Sequence, residues 1–248
     1  MNICKKRYCS NESMVVHPSK LCLECYQNSR KYFKQSRPKL KVLDLFSGFG
    51  GFSEAFLEYE DEVLRIENNP LLSEVPNTEI MCVLDLLEEL KFQLEKGKLK
   101  PKFLNIDIIL ASPPCDEFSL AFSAPQAIAS RSGAFDEYNP SMELIEATYE
   151  IIEILKPRYY IIENVRGSIR HFKNLDIEPH QVMKQTYVLY GKFPLIENKQ
   201  YTTKKAKDTG SQDPLRANKR AIIPFELSLN LRKAILNQKT IFDYGVIQ

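Results

Sequence analysis

The chain has 248 residues, 44% of them apolar and 27% charged, with 34 Lys and Arg set against 32 Asp and Glu. That length buries one full-sized core with at most a small appendage, and the composition excludes collagen-like, low-complexity and disordered chains. No apolar stretch reaches the roughly 18 residues of a membrane span, and the first residues are polar where a signal peptide is apolar, so the chain reads as intracellular.

The net charge of +2 hides an asymmetry, because residues 1–41 hold ten Lys and Arg against two Glu, leaving 24 basic and 30 acidic residues for the remainder. A basic arm of this kind suits contact with a phosphate backbone, although a short basic extension also serves as a solubilising tail. Cys4, Cys9, Cys22 and Cys25 fall inside the arm, spaced C-x4-C and C-x2-C with 12 residues between the pairs. Thiolates so spaced can hold one tetrahedral zinc, which would staple a segment too poor in apolar residues to fold alone. His17 lies between the pairs and is an alternative ligand, whereas disulfides do not suit a reducing compartment. Residues 1–37 are therefore expected to form a small zinc-binding module, separated by Ser36-Arg37-Pro38-Lys39 from a domain spanning 38–248.

From Lys41 the pattern alternates between strands and helices. Strands are predicted over Lys41 to Phe46, Glu62 to Glu67, Ile80 to Leu84, Ile106 to Ala111 and Tyr159 to Glu163. Helices are predicted near Gly51 to Tyr59, Leu86 to Lys96 and Ser141 to Leu155. Crossover helices between strands imply an α/β fold with a mainly parallel, doubly wound sheet. Later, Thr186 to Gly191 and Gln200 to Lys204 read as an antiparallel edge hairpin. Residues 199–220 read as a basic mobile loop, with seven basic and two acidic side chains, and Phe225 to Leu236 as a closing amphipathic helix.

Five features sit at predicted strand ends, where open α/β sheets place their chemistry. Gly48, Gly50 and Gly51 follow the first strand and let the backbone approach a ligand, while Asp44 can accept from the turn or from a ligand amine. The spacing is not G-x-G-x-x-G. Glu67, ending the second strand, is placed to accept ribose hydroxyls, and Asp85, after the third, an adenine amino group; helix capping is the alternative role for these acids. Cys115 follows two prolines after the fourth strand and is presented as a nucleophile, whereas Cys82, inside an apolar run, is assigned to the core. Glu163 ends the fifth strand, where an acid is costly unless it binds something, and Asn164 beside it can fix a loop by hydrogen bonding.

DLFSGFGG, IENNP, SPPCDEFS and IENV together resemble, in order and spacing, the motifs of the C5-cytosine methyltransferases, over roughly residues 40 to 200. The resemblance implies a Rossmann-like methyltransferase fold, S-adenosylmethionine as methyl donor and a flipped-out cytosine in DNA as substrate. It adds Leu45, Phe46, Ser47, Asn68 and Pro113 to Asp44, Gly48, Gly50, Gly51, Glu67 and Asp85 as cofactor-binding residues. It also makes Cys115 the nucleophile that adds to C6, Glu163 the group that holds N3 and the 4-amino group, and Asn164 their catalytic neighbour.

The chain departs from the family in having no long recognition region, no clear C-terminal Gly-Asn pair, and only Gln200-Tyr201-Thr202-Thr203-Lys204 in place of an arginine-rich motif. It looks like the solitary phage and archaeal forms, in which Arg220 to Leu229 would close the cofactor pocket. The arm and the 199–220 loop are the segments available to substitute for the recognition region. DNA is the expected partner, with RNA methylation and a catalytically silent nucleic-acid-binding module as the alternatives. A restriction endonuclease partner stays open, no membrane partner is expected and a monomer is favoured.

Overall fold

Short apolar runs buried on both faces, such as Val42 to Leu45 and Ile108 to Ala111, draw the chain into one seven-stranded sheet. In the computed structural model the described residues are 39–118, 132, 140–184, 187–201 and 212–238. All of these except Lys39 belong to the second of two units into which the chain divides, 40–248. The zinc-binding arm predicted for 1–37, with its four cysteines, lies outside the described residues.

The strands are β1 (Lys41–Leu45), β2 (Glu62–Glu67), β3 (Thr78–Ile80), β4 (Ile108–Ala111), β5 (Tyr159–Val165), β6 (Gln181–Val182) and β7 (Tyr187–Lys192). Across the sheet they are ordered β3-β2-β1-β4-β5-β7-β6; the first five run parallel, β7 pairs antiparallel with β5, and β6 with β7. Leu45 stands opposite both Ile66 and Ala111, and Ala111 opposite Ile162, so the carboxyl ends of β1, β2, β4 and β5 open along one edge.

Helices cover both faces. On one, α2 (Val83–Glu95) and α3 (Glu143–Leu155) bury Leu86, Leu90, Ile145 and Ile151 against Leu43, Leu45, Ile109 and Ile162. On the other, α1 (Glu54–Glu58) and α6 (Phe225–Asn237) bury Phe56, Leu227 and Leu231 against Val42, Ile108 and Ile161. Each such aliphatic side chain contributes roughly 1.5–3 kcal/mol. Two short helices complete the unit, α4 (Ser168–Phe172) and α5 (Arg216–Ala221). Among the described residues no helix is long and apolar enough to cross a membrane.

Polar bonds fix α6 more tightly than apolar packing alone would. Arg232 grips Asp61 through Nε at 2.6 Å and Nη2 at 3.3 Å, and its guanidinium lies 4.5 Å from the centre of the Tyr59 ring. Ser228 Oγ donates to the Phe52 carbonyl at 2.6 Å and accepts from Ala55 N at 3.2 Å. Because Phe52 ends the glycine turn, α6 holds the segment before it against that turn.

Four expectations need correcting. The third strand stops at Ile80 and the helix begins at Val83, because Val83, Leu86, Leu87 and Leu90 recur at helical spacing and are all buried. Asp85 is consequently an exposed residue in the first turn of α2, where a carboxylate complements the helix dipole, and Cys82 is its N-cap residue and half-buried, not core. The edge hairpin joins β6 to β7: Gln200 and Tyr201 are not in a strand, and 202–204 lie outside the described residues. Tyr201 is buried instead, donating to the Glu197 carbonyl and accepting from Asn230 Nδ2. Within 199–220, residues from Arg216 on are helical, not loop.

Candidate active site

The turn after β1 is shaped by charges beneath it. Asp44 and Arg65 face each other in register on β1 and β2, both fully buried. Arg65 donates from Nε to Ser53 Oγ (2.9 Å), from Nη1 to the Pro76 carbonyl (3.1 Å) and from Nη2 to the Gly50 carbonyl (3.0 Å) and Glu54 (2.9 Å). Ser53 Oγ in turn donates to Asp44 Oδ2 at 2.6 Å. Gly50, with φ +78°, must be glycine, because a Cβ there would lie 2.2 Å from Arg65 Cζ. Gly51 is equally constrained, with the Ile223 carbonyl 2.5 Å from the position of its Cβ.

Burial pushes the Asp44 carboxyl up to about 7, against the opposing pull of the Ser53 hydrogen bond and of Arg65, and Oδ1 has no partner among the described residues. Between about pH 4 and 7 the folded chain therefore holds a proton that the unfolded chain has lost, so this group's contribution to stability falls as pH rises through that window. Asp44→Asn is expected to remove that slope. Urea unfolding should show the variant gaining roughly 2–3 kcal/mol on the parent between pH 5 and pH 8; a pH-independent difference would contradict the raised carboxyl.

Above this base lies a cavity of about 390 Å³ at the carboxyl ends of the strands. Phe46, Ser47, Gly48, Phe49, Gly51 and Phe52 of the glycine turn form one wall, and Ile66 to Asn69 after β2 the next. Glu67 is buried, and its carboxylate accepts from Gly48 N at 2.7 Å and from Asn69 N at 2.9 Å, joining these two walls. Met81, Cys82 and Val83 lie beyond β3, and Ser112, Pro114, Cys115 and Asp116 beyond β4. Cys115 is half-buried and lines this cavity. Its loop is held at both ends: Asn164 Nδ2, fully buried, donates to the Pro113 carbonyl at 3.3 Å, and Phe118 N donates to the Cys115 carbonyl at 3.0 Å. The Phe118 ring packs against His171 and, edge-on, against Phe172 of α4, and burial lowers the His171 pKa, as does Arg170 beside it.

Not every predicted residue reaches the cavity. Leu45 points into the core, Asp44 and Gly50 lie beneath the turn, Pro113 acts through its carbonyl, and Asp85 faces outward. Glu163 lies on β5 opposite Leu189, one residue past the Ala111 and Ile162 pair, half-buried and beside the Cys115 loop but not lining the cavity.

The sequence reading placed only Ala221 to Ile223 of the last wall, and missed Ala217 and Asn218. Ala217, Asn218, Ala221, Ile222 and Ile223 close the cavity from α5 and the turn after it, and Asn69 Nδ2 reaches Asn218 Oδ1 at 3.3 Å. An Ala-Asn pair thus stands at the pocket where a Gly-Asn pair was sought nearer the end of the chain. The start of the predicted closing segment, Ala221 to Ile223, lies on this wall. Arg65 was missed too, although a lone arginine within an apolar strand, beside a strand bearing a lone aspartate, was the available signal.

A family model for the C-5 cytosine-specific DNA methylase matches residues 40–210. The type II methyltransferase M.DdeI of Desulfomicrobium norvegicum is 29% identical over 131 residues, covering 52% of this chain and 29% of the relative. M.AquIA of Picosynechococcus is 28% identical over 144 residues, covering 56% and 53%, and the orphan methyltransferase M.Rho11sI of Bacillus phage rho11s 28% over 141 residues, covering 54% and 25%. The chain thus spans about half or less of the length of these relatives. With the matched region running from β1 through β7 and including both the glycine turn and the Cys115 loop, the chain belongs to the C-5 cytosine-specific DNA methylase family.

Proposed function

We propose that the chain methylates C5 of cytosine in DNA, using S-adenosylmethionine. The observation that carries this reading is that Cys115 opens into the same cavity as the glycine turn, Glu67 and the 217–223 wall. The cavity's residues fit the cofactor. Ser47 Oγ and Ser112 Oγ are buried at its lining without partners among the described residues, and each Glu67 oxygen accepts only one backbone N–H, which leaves acceptor capacity for ribose hydroxyls. When bound, S-adenosylmethionine supplies an electrophilic methyl group.

The chain's own residues must make cytosine C5 a nucleophile, since an aromatic ring carbon is a poor one. The Cys115 sulfur adds to C6 and breaks the ring's conjugation. Glu163 holds the base by hydrogen bonds at N3 and the 4-amino group, which draws electron density from C6. Once C5 carries the methyl group, loss of the C5 proton restores the double bond and expels the sulfur. Asn164 keeps the Cys115 loop at its distance from the sheet, and the 46–52 turn excludes water from one side of the cavity. A base inside a duplex cannot meet Cys115, so the substrate nucleotide leaves the stack.

The arm 1–37 is proposed as a zinc-stapled module contacting phosphates, supported by its cysteine spacing and basic charge. Labelled methyl transfer to duplex DNA and, in parallel, to transfer RNA tests the substrate. Label recovered as 5-methylcytosine in DNA is expected; label confined to RNA would move the activity to the other polymer, and no transfer despite cofactor binding would leave a silent module.

A further inference from the structure

We propose that Cys82 is a second functional thiol of the cofactor pocket, open to Michael acceptors and shielded by the bound nucleoside; this rests on the cofactor reading above. The helix start at Val83 carries Asp85 out to solvent and leaves Cys82 at the cavity between Met81 and Val83. As N-cap residue Cys82 makes no side-chain hydrogen bond to the helix, so its sulfur is not engaged in capping. Its backbone is fixed, because Met81 N donates to the Glu67 carbonyl at 2.9 Å and Leu86 N to the Cys82 carbonyl at 3.0 Å. Cys82 and Glu67 thereby line the same cavity on backbone tied together at Met81.

Ser47, on the same cavity and bonded through its N–H to the Ile66 carbonyl at 3.1 Å, supplies independent evidence of a ligand there. It is 8% exposed, and its hydroxyl has no partner among the described residues. A nucleoside held by Glu67 and Ser47 therefore covers Cys82. Conversely, a group attached to Cys82 takes up room in a cavity of only about 390 Å³. The reaction with N-ethylmaleimide balances without a co-reactant: sulfur bonds to one alkene carbon, the neighbouring carbon takes a proton, and nothing leaves.

The test uses the full-length Cys115→Ser chain, which removes the other cavity thiol, treated with N-ethylmaleimide with and without S-adenosylhomocysteine. Labelling at Cys82 is read by peptide mass, and ligand affinity by calorimetry before and after treatment. Ligand at about ten times its Kd should slow Cys82 labelling roughly tenfold, and the labelled protein should lose affinity at least about tenfold. Adding Cys82→Ala should make affinity insensitive to treatment, which separates Cys82 from the cysteines of the arm. Bound ligand with unslowed labelling, or labelled protein with unchanged affinity, overturns the proposal alone. Failure of the untreated chain to bind S-adenosylhomocysteine overturns the cofactor reading and this proposal with it.

Discussion

Cys115→Ser is expected to lower methyl transfer by at least about a thousandfold while leaving S-adenosylhomocysteine affinity within about threefold. Serine preserves the shape of the loop, whose fixed points are the Pro113 carbonyl held by Asn164 and the Cys115 carbonyl held by Phe118 N, both main-chain atoms. What changes is the nucleophile. An un-ionised hydroxyl adds poorly to C6, and among the described residues no histidine lines the cavity to activate it. Initial rates with labelled cofactor, alongside calorimetry, separate the two effects. Retained turnover would remove Cys115 from the chemistry, and parallel loss of affinity would make it a packing residue.

The largest stability effect is expected at Gly50. An alanine Cβ would lie 2.2 Å from Arg65 Cζ, and Arg65 cannot retreat because it is fully buried and donates to four groups. Left-handed backbone costs a non-glycine residue roughly 1–2 kcal/mol, and stranding the buried charged donors of Arg65 roughly 1–3 kcal/mol or more each. At about 2–4 °C per kcal/mol for a domain of this size, Gly50→Ala should lower Tm by roughly 10 °C or more. Gly48→Ala is the control. Gly48 also has positive φ, at +55°, but nothing lies within 4 Å of its Cβ position, so only the backbone cost applies. Equal Tm shifts for the two variants would show that strain, and not Arg65, sets the requirement for glycine.

The strand ends carrying Gly48, Glu67 and Cys115 were legible because each follows an apolar run whose type is unambiguous, as in Ile108–Ala111, whereas β5 continues past Glu163 to Val165, where it is paired by β7 and no longer by β4. The third crossover was not, because Met81 to Leu84 is apolar under either period; only burial of Val83 with Leu86 and Leu90 assigns it to the helix, which exchanges Asp85 for Cys82 at the cavity. Strand β6 has two residues, too few for alternation to register. The placement of Asp44 beside Arg65 is a tertiary fact: each looks costly alone, and only the parallel register of β1 and β2 sets them side by side, linked through Ser53 Oγ. Asn218 could not be placed from sequence because its position at the cavity, against Asn69, follows from a tertiary arrangement in which α6 is anchored by Arg232 on Asp61 and Ser228 on Phe52.

The central claim is that Cys115 bonds to cytosine during methyl transfer, and duplex DNA with 5-fluorocytosine at every cytosine tests it most directly. After addition and methylation, fluorine at C5 cannot leave as a proton does, so the sulfur stays attached. With S-adenosylmethionine present, the account predicts a protein–DNA complex that survives denaturation, carries its adduct on the Cys115 peptide, and is absent from Cys115→Ser. No denaturation-resistant complex under conditions of measurable methyl transfer, or an adduct on another residue, would contradict it.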